Sequence, residues 1–377
     1  GQYHGWLKEN IGGHIIRRNN IHHCEQGGII GRMGGVFSII EDNHIHHINN
    51  MMEQGGAEIA GIKMHAAIDV TMRRNHIHHC TMGIWCDWEA QGTRLTQNLL
   101  HDNQKPAYAK SLKGGMMSQD IFVEVGHGPT LIDNNVMLSD ASLRFATEGV
   151  ALVHNLICGA LTCVGDGTGW RYTPYHMPHR TEVMGFMTIL HGDDRIYNNI
   201  FVQKWPSEDV IIPHDSDEGF DSENRKAGTW MFDEYPTYDE WISQFDFTKP
   251  VDMKKLEPVH FGHLPVWIEG NVYLNGAEAC KNEVNGLVIS DKEAKVDLVE
   301  KEGSYYLDTN VYDLVGEFKD RMIHSDILGK AFEPEQRFEN PDGTAIQFDK
   351  DYFGGHRGMD VIPGPFAQAE DAKKVLF

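Results

Sequence analysis

The chain has 377 residues, 41% of them hydrophobic, enough apolar material for a large buried core. Its 33 basic and 55 acidic residues leave a net charge of −22, which works against nucleic acid and anionic membranes as partners. A neutral ligand fits better, and no apolar run approaches membrane-spanning length.

In chain order, an asparagine followed closely by an aliphatic residue recurs throughout. It stands at Asn19-Asn20-Ile21, Asn43-His44-Ile45, Asn75-His76-Ile77, Asn98-Leu99-Leu100, Asn134-Asn135-Val136, Asn155-Leu156-Ile157 and Asn198-Asn199-Ile200, with a later copy at Asn271-Val272-Tyr273. Measured from the first asparagine of each, the intervals are 24, 32, 23, 36, 21 and 43 residues, a unit of 21 to 24 with insertions. Such a period marks a solenoid. The units hold short β-branched runs and no helical periodicity, so an all-β, right-handed parallel β-helix with loop insertions is predicted, its hand following the crossover rule. Stacked asparagines would bond through their amides while Ile and Val beneath them fill a continuous core.

This reading predicts active-site coils over residues 1–205, an acidic and aromatic excursion over 206–265, and a final coil with a β-rich closing segment over 266–377. The opening Gly1-Gln2-Tyr3 is no signal peptide, so the cytoplasm is the expected compartment. An uncapped first coil near Ile11, Ile15 and Ile16 predicts that an N-terminal portion is missing. Its apolar end would be covered by a separate segment or by another subunit of a homo-oligomer.

The pairs His22-His23, His46-His47 and His78-His79 repeat at one coil position. No carboxylate or thiol set completes a ligand geometry around them, so they read as stacked turn side chains, and no metal is expected. Cys24 and Cys80 share a coil position two rungs apart, about 9.6 Å, beyond disulfide reach. Cys86 falls in an inward row, and nothing requires Cys158 to pair with Cys163.

Side chains on a strand alternate faces. Aligning Gly61-Ile62-Lys63-Met64-His65 with Gly83-Ile84-Trp85-Cys86-Asp87 and Asp120-Ile121-Phe122-Val123-Glu124 puts Ile62, Ile84 and Ile121 in one inward row and Met64, Cys86 and Val123 in another. The rows Lys63/Trp85/Phe122 and His65/Asp87/Glu124 then point outward. Asp87 follows His65 by 22 residues, and Glu124 follows Asp87 by 37, one coil plus an insertion over residues 105–117. Carboxylates on adjacent rungs would lie about 4.8 Å apart along the ladder, near the roughly 5 to 5.5 Å of retaining glycosidases and short of the inverting range. A solvated acidic ladder is the plainer alternative. Trp85 and Phe122 beside the acids would make a sugar-stacking platform, and Lys63 would either hold ring hydroxyls or be a solvated partner of a nearby acid.

Further along, a Gly- and Pro-containing excursion over residues 165–185 carries Arg171, Tyr172, Tyr175, His176 and His179, and Tyr175 and His176 are candidate sugar contacts. Residues 207–240 hold eleven acidic and two basic side chains. Within them Thr237-Tyr238-Asp239-Glu240 is a capping box that opens a short helix through Trp241 and Phe245, laid on the solenoid as a brace, a lid or an oligomer contact. The runs Ser304-Tyr305-Tyr306-Leu307 and Ala345-Ile346-Gln347-Phe348 are predicted to be strands closing the far end.

The segment from Gly83 through Asp87-Trp88-Glu89-Ala90-Gln91-Gly92-Thr93-Arg94, with Phe122-Val123-Glu124-Val125-Gly126-His127-Gly128-Pro129, resembles the glycoside hydrolase family 120 β-xylosidases. The likeness extends through Gly61 to Asp69, Thr173-Pro174-Tyr175-His176, Gly192-Asp193-Asp194-Arg195 and Phe332-Glu333-Pro334-Glu335, and so covers most of the chain. Cys86 and the 105–117 insertion depart from the family pattern. The resemblance implies a retaining exo-β-xylosidase acting on xylo-oligosaccharides without a cofactor, with Asp87 as nucleophile and Glu124 as general acid/base. Like charge and desolvation are expected to raise the Glu124 pKa. Lys63 and His65 would hold substrate hydroxyls and the nucleophile, Trp85 and Phe122 would stack on the sugar, and Trp88 and Arg94 would either support the site or be purely structural. A β-helical polysaccharide lyase with Lys63 or Arg94 as base, and a non-catalytic carbohydrate-binding solenoid, are the alternatives.

Overall fold

One corner, repeated coil after coil, builds the molecule. A strand of the first face ends, one residue turns through the left-handed region, an asparagine follows, and a strand of the second face begins. In this computed structural model, which describes residues 5–54, 58–105, 118–163, 172–207, 225–246, 248–250, 252, 254–255 and 260–377, the turning residues are Arg18, Asp42, Arg74, Gln97, Asn134, His154 and Asn198, with φ between 51° and 59°. The last such corner uses Gly270 at φ 73°, a conformation glycine adopts without a Cβ clash.

The asparagine after each corner offsets that backbone cost. The Nδ2 of Asn19 donates to the Oδ1 of Asn43, and the relay continues through Asn75, Asn98, Asn135, Asn155, Asn199 and Asn271, each step 2.9 to 3.1 Å. The ladder member of each double asparagine at 134–135 and 198–199 is therefore the second one, where the sequence interval counted the first. Asn134 and Asn198 are the left-handed corners instead, a conformation asparagine tolerates better than most residues. Asn98 accepts from the Asn75 backbone and side-chain amides and donates to the Met72 carbonyl and Asn135. Asn98→Ala leaves these buried groups unpaired at about 1–3 kcal/mol each, so the expected loss of stability in urea denaturation is at least about 3 kcal/mol.

Three parallel sheets result. The first face has eight strands, from Ile15–Arg17 to Val266–Glu269, the second has nine, from Asn20–Cys24 to Leu287–Ile289, and the third has six, from Gly27–Gly31 to Ala160–Cys163. Inward rows such as Ile40, Met72, Leu95, Ile132 and Leu152 fill a continuous core. All six cysteines are free, and Cys86 packs in that core.

The C-terminal segment packs along the solenoid rather than across its far end. Its Val296, Leu307, Val311, Tyr312 and Phe366 cover outward Leu99, Val136, Leu156, Ile200 and Val272 of the second face, while Ile323, Phe338, Ile346 and Phe348 cover Leu131, Ala151 and Val153 of the first. Ser304–Thr309 is a strand, paired antiparallel with Val296–Lys301. The run 345–348 makes only isolated bridges, and its Ile346 and Phe348 pack in the cluster over the first face. The predicted capping box is present: Thr237 caps the helix Tyr238–Ser243, and Trp241 meets Phe245 at 4.9 Å. At the other end, Ile15 and Ile30 are 61% and 50% exposed. No described helix is long and apolar enough to cross a membrane. The 106–117 part of the insertion, Arg171 and residues 208–224 of the acidic run lie outside the described residues.

Candidate active site

The third face carries the site. Its strands Ala60–His65, Ile84–Asp87 and Ile121–Glu124 pair in parallel, with Ile62, Ile84 and Ile121 in register, then Lys63, Trp85 and Phe122, then Met64, Cys86 and Val123, then His65, Asp87 and Glu124. Each residue of the last row ends its strand, and the next residue turns left-handed: Ala66, Trp88 and Val125. The corner thus sets the two carboxylates side by side on adjacent rungs.

Lys63 organises this cluster. Its side chain is fully buried, and its ammonium donates to Asp87 Oδ2 at 2.6 Å and to Glu58 Oε2. His65 Nε2 lies 3.0 Å from the same Asp87 oxygen and 3.1 Å from the lysine Nζ. Burial pushes the Glu58 carboxyl up, but the hydrogen bond and charge of Lys63, with His65, outweigh it and hold Glu58 below the usual range. Asp87 Oδ1 is buried with no hydrogen-bond partner among the described residues. The Trp85 indole N–H donates to Glu124 Oε2 at 3.0 Å. Its ring also receives the Lys63 ammonium at 4.2 Å from the centroid. Glu58, His65 and Asp87 bring two carboxylate oxygens and an imidazole nitrogen within 4.8 Å of one another, a set that could hold a metal ion. The Lys63 ammonium already stands among them as the counter-charge.

Several expected roles change. Trp85 is 3% exposed and Phe122 is not exposed at all, so neither offers a face to a sugar. They pack on each other at 5.4 Å in a small apolar cluster with Ala60, Met82 and Ala146, outside the main core. Trp85 instead positions Glu124. The exposed aromatic beside Asp87 is Trp88, 40% accessible at its corner. Arg94 belongs to the first face, where it forms a two-pronged pair with Asp133 at 2.8 and 2.9 Å, and so does not reach the site.

Tyr175 and His176 lie in the antiparallel hairpin of Tyr172–His176 with Val183–Thr188. His176 is fully buried between Glu89, the Thr181 carbonyl and Gln91, so it anchors the hairpin rather than touching a ligand. Tyr175 packs edge-on to His127 at 5.6 Å. His127 in turn bonds Glu148 at 2.6 Å and the Thr173 carbonyl at 3.1 Å, which secures the hairpin just past the Glu124 strand. His179 faces Asp69 and Glu339, away from the carboxylate pair.

Glu58 went unrecognised in the sequence. It precedes its strand and escapes the pleat alternation; the sequence places the row of Lys63 outward, and only its burial in the structure shows the need for compensating anions. In the motif Gly192-Asp193-Asp194-Arg195 the side chains are structural: Asp194 accepts from the Val150 N–H, and Arg195 donates to the Leu328 and Lys330 carbonyls of the C-terminal segment.

Fold and site together define a parallel β-helix with two carboxylates on neighbouring rungs of one face, Asp87 held by a buried lysine and Glu124 by a buried tryptophan. The family model for the right handed beta helix region matches residues 2–142. Among solved structures, the complex of XylC with xylose is similar, with a TM-score of 0.82 and 37% identity over 96% of this chain and 51% of that one. The chain therefore spans about half the length of that relative. No protein of curated function matches the sequence. With the motifs around Asp87 and Glu124, these similarities show a right-handed parallel β-helix that resembles the glycoside hydrolase family 120 β-xylosidases.

Proposed function

We propose that the chain carries the catalytic centre of a retaining exo-β-xylosidase that releases xylose from short β-xylo-oligosaccharides. The observation that carries this reading is the pairing of Asp87 with Glu124 on adjacent rungs. A strand spacing of about 4.8 Å suits double displacement and leaves little room for the water of an inverting enzyme. Xylose as the sugar rests on the family likeness and on the xylose held by XylC.

Asp87 Oδ2 is fixed by Lys63 and His65, while Oδ1 is left to attack the anomeric carbon. As the C–O bond to the leaving sugar breaks, Glu124 gives its proton to the departing oxygen. Glu124 then takes a proton from water, whose oxygen attacks the anomeric carbon and releases Asp87. Trp85 orients Glu124, Lys63 balances the charge of both Asp87 and Glu58, and Trp88 offers the stacking surface.

The lyase alternative loses its bases, since Lys63 is engaged by two carboxylates and Arg94 by Asp133 on another face. The test is a panel of nitrophenyl glycosides, with the first-formed sugar followed by proton NMR. Nitrophenol release from the β-xyloside with β-xylose appearing first is expected. First appearance of α-xylose, production of unsaturated uronates from a polyuronate, or no turnover of any glycoside would each overturn the proposal.

A further inference from the structure

Away from the carboxylates, the second face stacks histidines on consecutive rungs. His44 pairs with His76, and His46 with His78, which pairs in turn with His101. The rings of His44 and His76 are parallel at 4.7 Å, as are those of His78 and His101 at 4.7 Å. Across the rows, His44 Nε2 meets His78 Nε2 at 2.8 Å, and His76 Nε2 meets His101 Nε2 at 2.7 Å. His44, His76 and His78 each present one ring nitrogen within 4.8 Å of the other two. His76 is fully buried, and its Nδ1 has no hydrogen-bond partner among the described residues. Tyr305 and Phe377 cover this ring at 4.5 and 4.7 Å.

We propose that His44, His76 and His78 bind one divalent transition-metal ion of the zinc type. Three imidazoles without a carboxylate ligand suit zinc, cobalt, nickel or copper and reject calcium and magnesium, which require oxygen ligands. The neighbouring His101 is itself held by Asp102, whose Oδ2 lies 2.6 Å from its Nδ1, and its Nε2 meets His76 at 2.7 Å, which fixes the orientation of the His76 ring. Tyr305 and Phe377 limit water access. An ion held there would tie together two rungs of the solenoid beneath the C-terminal segment and would stabilise the folded state by mass action. From the sequence no metal is expected and the repeated pairs read as stacked turn side chains; His44 and His76 enter only because strand register brings them beside His78.

The test uses the whole chain stripped with chelator and titrated with Co²⁺, then Zn²⁺. Wild type is expected to take up one Co²⁺ with visible ligand-field bands, to lose them as Zn²⁺ displaces it, and to melt higher with Zn²⁺. His44→Asn and His78→Asn, checked for native circular dichroism, are expected to bind about 100-fold more weakly or worse. His23→Asn, altering the exposed histidine pairs, is expected to bind as wild type does. Absence of Co²⁺ bands in wild type overturns the site whether or not the variants fold. Binding undiminished in folded His44→Asn and His78→Asn, or lost in His23→Asn, would place the ion on the outer pairs and overturn it equally.

Discussion

Asp87→Ala is expected to lower turnover of an aryl β-xyloside by about 10³-fold or more, because no covalent intermediate can form without its carboxylate. Glu124→Ala is expected to lose about 10²- to 10⁴-fold, least with leaving groups that depart without protonation. Azide separates the two roles. In Asp87→Ala it would enter the space of the missing nucleophile and give the inverted α-xylosyl azide. In Glu124→Ala it would attack the intact glycosyl-enzyme and give the retained β-xylosyl azide. NMR of the products reads the anomer directly. The same anomer from both variants, or near-wild-type turnover in either, would remove the assignment of Asp87 and Glu124 to double displacement.

Lys63→Met is the second large effect. The lysine is fully buried between Asp87 and Glu58, so its removal leaves two carboxylates without their cation, one of them buried. Breaking a buried pair in this way costs roughly 3–5 kcal/mol, which urea denaturation at neutral pH would read. Activity should fall with it, since Oδ2 of Asp87 would be held by His65 alone among the described residues. Adding Glu58→Gln removes one of the repelling anions, and the double variant is expected to recover part of the lost stability. A cost below about 1 kcal/mol for Lys63→Met would show that the lysine is solvated instead, as an ordinary surface pair.

Sequence periodicity alone determined the solenoid, the inward rows and the adjacent-rung placement of Asp87 and Glu124. These depend on short-range rules: a strand alternates faces every residue, a coil closes at each asparagine, and one-residue slips would turn Ile84 and Ile121 out of the core. The outward faces depend on something else. Trp85 and Phe122 look like a sugar platform on a bare ladder, yet both are buried, and Arg94 sits three residues past Gln91 on another face altogether. Glu58 joins the site from outside the strand pattern, His176 is fixed by Glu89, and Gln91 bonds Gln336 across 245 residues. Whether an outward side chain meets solvent, substrate or another segment is set by such distant contacts, so only the tertiary structure could decide it; the spacing within a coil is local, and for that reason the residues carry it themselves.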